Sequence, residues 1–187
     1  MRKEKAAKIG RKRRKGRLIA IGIIAAVAIG VGFAVYNYAQ HPPRNANFGA
    51  VGSEHEHAAF KLFINNVEPI DFAQNQYQVK SRYIHFEANN GALVHRHATG
   101  VDIGFLFESF GMKFDNNCFT LDNGTSYCND GDKTIKFYVN GVRNQMYDKY
   151  VLEDGDRILI TYGNETPEQI DAQLNTLELI TVPAQQP

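Results

Sequence analysis

The chain has 187 residues, 43% hydrophobic and 22% charged, with a formal net charge of +1. That length supports one domain with an appendage, and the ordinary Gly, Pro and aromatic content excludes disordered and collagen-like classes. The near-zero charge hides an asymmetry: residues 1–17 carry ten Lys/Arg against one acid, whereas residues 41–187 carry eleven against nineteen. An acidic main domain repels phosphate backbones, so no nucleic-acid partner is expected.

Residues 1–17 form a basic segment, and Leu18 to Tyr36 follows without a charge. Nineteen helical residues cover about 28 Å, close to the roughly 30 Å hydrocarbon core of a bilayer. Residues 18–38 are therefore assigned as a lipid-embedded anchor, with Tyr36 and Tyr38 at the interface. Clustered Arg and Lys from Arg11 to Arg17 place the N-terminus in the cytoplasm and the domain outside. A cleaved signal peptide is the alternative. The apolar run is longer than a usual signal core, and Asn37-Tyr38-Ala39 is a poor cleavage site.

Residues 39–53 are rich in Pro, Gly and Asn and read as a tether, with His41 incidental in it. Residues 54–182 show the patterns of an α+β domain, strand-rich and built of β-hairpins with two short helices, and 183–187 form a tail. Phe60–Ile64 with Asn65-Asn66 predicts a first hairpin, and Arg82–Glu87 with Ala92–His97 a second. Thr99 opens a helix with Asp102 three residues on, and Ile103, Leu106, Phe107 and Phe110 give it one apolar face. Ile135–Val142 repeats the pattern of Phe60–Val67, which suggests an internal duplication. Arg157–Tyr162 is a strand, Thr166-Pro167-Glu168-Gln169 a helix start, and Leu177–Val182 a last strand.

Cys118 and Cys128 flank FTLDNGTSY, a hairpin with Asp122-Asn123-Gly124 as its three-residue loop. That register sets the two cysteines opposite each other, and an even count in an extracytoplasmic domain reads as one disulfide. Asn123-Gly124-Thr125 and Asn164-Glu165-Thr166 match the N-glycosylation acceptor, although Pro167 follows the second. Asp130-Gly131-Asp132 and Asp154-Gly155-Asp156 lack a full calcium loop and read as turns.

Five of the six histidines fall within 43 residues: His55, His57, His85, His95 and His97. Two H-x-H pairs on strands each aim two imidazoles to one face. A three-residue loop at Asn89-Asn90-Gly91 sets His85 opposite His95, so that His85, His95 and His97 share a face; a two-residue Asn90-Gly91 loop would break that trio. The three-residue form is favoured because Asp122-Asn123-Gly124 follows the same scheme. Three imidazoles so placed suit a copper or zinc ion, with His55 and His57 completing or covering the site and Glu54, Glu56 and Glu87 as nearby carboxylates. A pH-responsive surface cluster without metal, or packing alone, is the competing reading. Beyond the start residue only Met112 and Met146 occur, which argues against a thioether-rich Cu(I) carrier.

The motifs HEHAAFKLFINN, YIHF, VHRHATGVDIGFLFESFGMKF, CFTLDNGTSYCNDGDK and EDGDRILITYGNE lie between Glu54 and Glu165. This block resembles a family of small membrane-anchored extracytoplasmic proteins of ammonia-oxidising archaea, whose members are sometimes labelled disulfide-isomerase-like. FYVNG with GDRILITYG is similar to β-grasp domains. The label implies thiol–disulfide exchange through Cys118 and Cys128. Such chemistry needs a low-pKa cysteine, usually in C-x-x-C at a helix N-terminus, and these cysteines flank a β-turn instead. The expected function is a membrane-anchored metal-handling module, serving a membrane protein complex, with disulfide exchange or plain assembly as alternatives.

Overall fold

The computed structural model describes residues 2–40 and 47–183, with side chains from residue 15 onward. Residues 41–46 of the tether, His41 among them, and residues 184–187 of the tail lie outside the described residues. The chain divides into two units, residues 1–46 and 47–187. In the first, α1 (Arg2–Gln40) runs through the basic segment and the apolar run as one helix. Its stretch Lys15–Gln40 contains an 18-residue window of mean hydropathy 2.8, none of it buried, and by length and composition it can cross a membrane.

The second unit is an α+β domain. Its strands are β1 (Glu56–Ile64), β2 (Ile84–Glu87), β3 (Asn90–Arg96), β4 (Lys113–Phe114), β5 (Cys118–Thr120), β6 (Ser126–Cys128), β7 (Thr134–Val139), β8 (Val142–Arg143) and β9 (Arg157–Gly163). Two helices join them, α2 (Ile103–Ser109) and α3 (Pro167–Glu178). The main sheet has the order β2-β3-β1-β9-β7-β8, and β4-β5-β6 form a separate small sheet. β1 and β9 are parallel at the centre, while every other pair is antiparallel. The two look-alike segments, β1 and β7, enter this one sheet on either side of β9.

Central position explains the sequence of β1. Its two faces are both covered, so eight of its nine residues are buried. One face carries Ala58, Phe60, Leu62 and Ile64 into the larger core, which includes Phe86, Phe107, Phe119 and Phe137. The opposite face carries Ala59 and Phe63, which pack with Leu159 beneath Leu177 of α3. His57 precedes Ala59 by two residues and so belongs to this second face.

Several local expectations change in the structure. The helix does not begin at Thr99: Gly100 is left-handed at φ +74°, and Thr99 is tied to Ser53 and Glu54. Asp102 is the N-cap instead, accepting from Phe105 N at 2.9 Å. Residues read as tether join the domain, since Gly49 N donates to Thr99 O and Gly52 N to His97 O. No last strand forms at Leu177–Val182 among the described residues. Capped by the Thr166/Gln169 box, α3 continues through Leu177 because Ile170, Gln173 and Leu177 make one buried face. The disulfide hairpin matches expectation: Cys118 faces Cys128 and they are bonded, with Gly124 at φ +86°.

The β2–β3 hairpin reaches the favoured register by a different turn. Ala88 and Asn89, at φ 55° and 56°, make the turn, and the register then shifts between Glu87 and Phe86 so that His85 still faces His95. Gly91 is thus not the turn residue. A Cβ there would lie 2.4 Å from Ala73 N and 2.6 Å from the Phe72 carbonyl carbon, so glycine is required by close backbone approach. Gly91→Ala should therefore destabilise the domain by about 1–3 kcal/mol in chemical denaturation, as overpacking does. An unchanged midpoint would contradict this packing.

Candidate metal centre

Strand pairing assembles the histidines. β1 and β3 pair with His57 opposite His95, and β3 and β2 pair with His95 opposite His85. Three adjacent strands therefore set His57, His95 and His85 in one row on one face. His55 and His97 stand two residues beyond His57 and His95 along their chains, which adds a second row on the same face. Ring centroids are 4.7 Å apart for His57–His95 and 4.8 Å for both His55–His57 and His55–His97. The remaining neighbours follow at 4.9 Å for His85–His97 and 6.0 Å for His85–His95. All five imidazoles form one contiguous patch.

The tightest group of donor atoms is His55, His57 and His95, whose ligand nitrogens all lie within 4.8 Å of one another. His55 Nε2 and His57 Nε2 are 3.2 Å apart. Two nitrogens at about 2.0–2.1 Å from a tetrahedral ion are separated by about 3.3 Å, so this pair already has a ligand-to-ligand spacing. Burial separates the three: His57 and His95 are only 9% and 7% exposed, whereas His55 is at the surface. Such a group has two fixed ligands and one at the solvent side.

Two buried nitrogens lack a hydrogen bond, His57 Nδ1 and His95 Nδ1. Each faces only a carboxylate, Asp154 Oδ1 at 3.5 Å and Glu87 Oε1 at 3.4 Å. Leaving such groups unsatisfied costs about 1–3 kcal/mol each, which a folded protein tolerates where a ligand exploits it. Metal-bound imidazoles orient their second nitrogen toward a carboxylate or carbonyl, and both residues have that partner in place.

Electrostatics favour the neutral, ligand form of His95 and His97. Burial is the main cause that pushes His95 down to about 4; Glu87 opposes it, and the charges of His57, His85 and His97 add to it. His97 is also lowered, first by burial and then by His85 and His55. Burial works to raise the Glu87 carboxyl, but His95 and His85 outweigh it and hold the group below the ordinary range. Neutral imidazole beside ionised carboxylate is the protonation state a metal ion requires.

The expected trio of His85, His95 and His97 thus lies in the patch, but the closest three-nitrogen group exchanges His85 and His97 for His55 and His57. The reason is the β1–β3 pairing, which local patterning does not reveal. Of the expected carboxylates, Glu87 joins the patch and Glu54 accepts from Thr99 Oγ1. Glu56 alternates to the other face of β1, paired in register with Arg96. Asp154 was not anticipated. It comes from the turn before β9, where Asp156 anchors the chain by accepting from Tyr150 Oη, Glu153 N and Asn140 Nδ2. Asn123 and Asn164, the glycosylation candidates, are both exposed.

The sign of the pH dependence follows from His95. Its value falls from 6.5 in the free residue to about 4 when folded, so the unfolded chain binds more protons between those limits. The stability tied to neutral His95 is complete above about 6.5 and is lost as the pH falls toward about 4. Thermal unfolding of metal-free protein should show Tm dropping across that window, with a smaller drop in His95→Asn. Equal drops in the two proteins would contradict the assignment.

No protein-family model, curated protein or solved structure matches this chain, so the functional reading rests on its own geometry.

Proposed function

We propose that the domain binds a transition-metal ion, copper or zinc, through His55, His57 and His95, and handles it at the outer face of a membrane. One observation carries this reading: two buried imidazoles, each with an unsatisfied Nδ1 beside a carboxylate, converge with a third, and one nitrogen from each of the three lies within 4.8 Å of the others. The donor set is all nitrogen with carboxylates behind it. Both cysteines are consumed in the disulfide, so no thiolate is left for the site, and Met112 is buried in the main core. Imidazole donors of this kind suit Cu(II) and Zn(II).

The apolar helix supports a membrane anchor, and the basic residues before it support a cytoplasmic N-terminus with the domain outside. An exposed His55 at the mouth of the site supports exchange of the ion with a partner, such as a membrane protein complex, over permanent burial. The order β3-β1-β9-β7-β8, with parallel first and last strands at its centre, supports a β-grasp-like domain. A place in the archaeal family named above is consistent with this anchoring. Disulfide exchange has less support. Cys118 and Cys128 bridge paired strands at a hairpin rather than a helix N-terminus, where a staple belongs.

The test is elemental analysis of the full chain in detergent after stripping and reloading with copper or zinc. The intact protein should retain metal, and a His57→Ala/His95→Ala variant that still folds should lose the ion at this site. Equal retention by the two proteins, or none by either, would overturn the proposal.

A further inference from the structure

The chain enters the α+β domain at an aromatic cluster that the metal centre does not use. Phe48 stands eight residues after Gln40, the end of α1, and its ring packs edge-on against Tyr83 at 5.7 Å and Phe105 of α2 at 4.9 Å. Tyr83 and Phe105 close the triangle at 6.2 Å. All three rings rest on the main core, and each is only half-buried. The loop before β2 adds Lys80 and Arg82, both exposed, with the Arg82 guanidinium 5.8 Å from the centre of the Tyr83 ring. Neither cation makes an ion pair among the described residues, whereas Lys61, Lys136, Lys149 and Arg157 each have a carboxylate partner.

Chain length and charge say what meets this face. Eight residues of fully extended chain reach at most about 29 Å, whereas a compact domain of about 140 residues is roughly 35 Å across. The root of the tether is fixed on the domain, since Gly49 N donates to Thr99 O and Gly52 N to His97 O. A leash shorter than the domain is wide, pinned at Phe48, keeps the Phe48 face toward a bilayer that α1 crosses. Charge selects the same face. Residues 41–187 carry eleven Lys/Arg against nineteen Asp/Glu, so most of the domain surface is repelled by phosphate headgroups. Unpaired Lys80 and Arg82 are attracted to them, and aromatic rings beside cations are the side chains favoured at headgroup level.

We propose that Phe48, Tyr83, Phe105, Lys80 and Arg82 form a lipid-docking face that lies against the phosphate headgroups of the bilayer holding α1. This inference rests on α1 being a membrane anchor and is independent of the metal. The two cations bind headgroup phosphates while the rings occupy the interfacial layer beneath them. The same loop also supports the histidine patch: the Ser81 carbonyl accepts from His85 Nδ1 and the Tyr83 carbonyl from His97 N, both at 2.7 Å. Docking of this face therefore sets the imidazoles beside the bilayer surface.

The chain has no Trp, so one introduced indole reports on one place. Metal-free full chain carrying Tyr83→Trp is reconstituted into phosphatidylglycerol vesicles with brominated acyl chains, and its fluorescence quenching is read. The control is Val142→Trp, at an exposed position on β8, the opposite edge of the sheet from β2. Tyr83→Trp should be quenched strongly and Val142→Trp hardly at all. Adding Lys80→Glu/Arg82→Glu to Tyr83→Trp should relieve the quenching, each lost cation weakening association with the anionic surface about fivefold. Should Tyr83→Trp fail to fold, Phe105→Trp is the reporter in its place. Vesicle flotation separates the two readings. Chain that floats yet is quenched equally at both positions, or as strongly after charge reversal, overturns the docking face and leaves the anchor standing. Chain that floats with neither position quenched overturns it as well and leaves the patch to a protein partner. Chain that does not float overturns both the anchor and the docking face.

Discussion

Pairing of β1 with β3 in the register that places His57 opposite His95 is the constraint on which the candidate centre depends. Shift that pairing by one residue and His57 turns to the opposite face, where Ala58 and Phe60 now pack into the main core. The same register is enforced by that core, because Ala58, Phe60, Leu62 and Ile64 must all face it together. The large apolar burial that folds the domain therefore also fixes the imidazoles. No separate device is needed to bring them together.

The opposite faces of the sheet do different work. One is filled with aromatic side chains beneath α2 and the small disulfide-bonded sheet, and it holds the fold. The other is covered by α3 over β1 and β9, through Leu177 against Ala59, Phe63 and Leu159, with Tyr138 of β7 packed beside them. Farther along that face, beyond Leu93 of β3, the side chains include the five histidines and Glu87. Burial there favours neutral His95 and His97, yet His55 keeps the patch open to solvent. That combination binds an ion without sealing it in.

Much of the local structure was legible in the residues. The Cys118–Cys128 register follows from one loop, the Thr166/Gln169 capping box from four residues, and the apolar face of α2 from its spacing. The five histidines were recognisable as a group, but their nearest set was not, because His57 meets His95 only through a long-range strand pairing. Asp154 reaches the site from 97 residues away, and nothing near it marks the role. Gly91 sits in a turn-like sequence but serves a backbone contact with Phe72 and Ala73 that only the folded chain contains. At the C-terminus the alternation of Leu177–Val182 looked extended, yet burial of Ile170, Gln173 and Leu177 on one helical face outweighed it.

The central claim is that imidazoles of this face coordinate a metal ion, and X-ray absorption of the copper-loaded full chain tests it most directly. The account predicts a first shell of nitrogen and oxygen at about 2.0 Å, outer-shell scattering from at least two imidazole rings, and no sulfur. A sulfur shell, or a copper ion surrounded by oxygen without imidazole scattering, would contradict it.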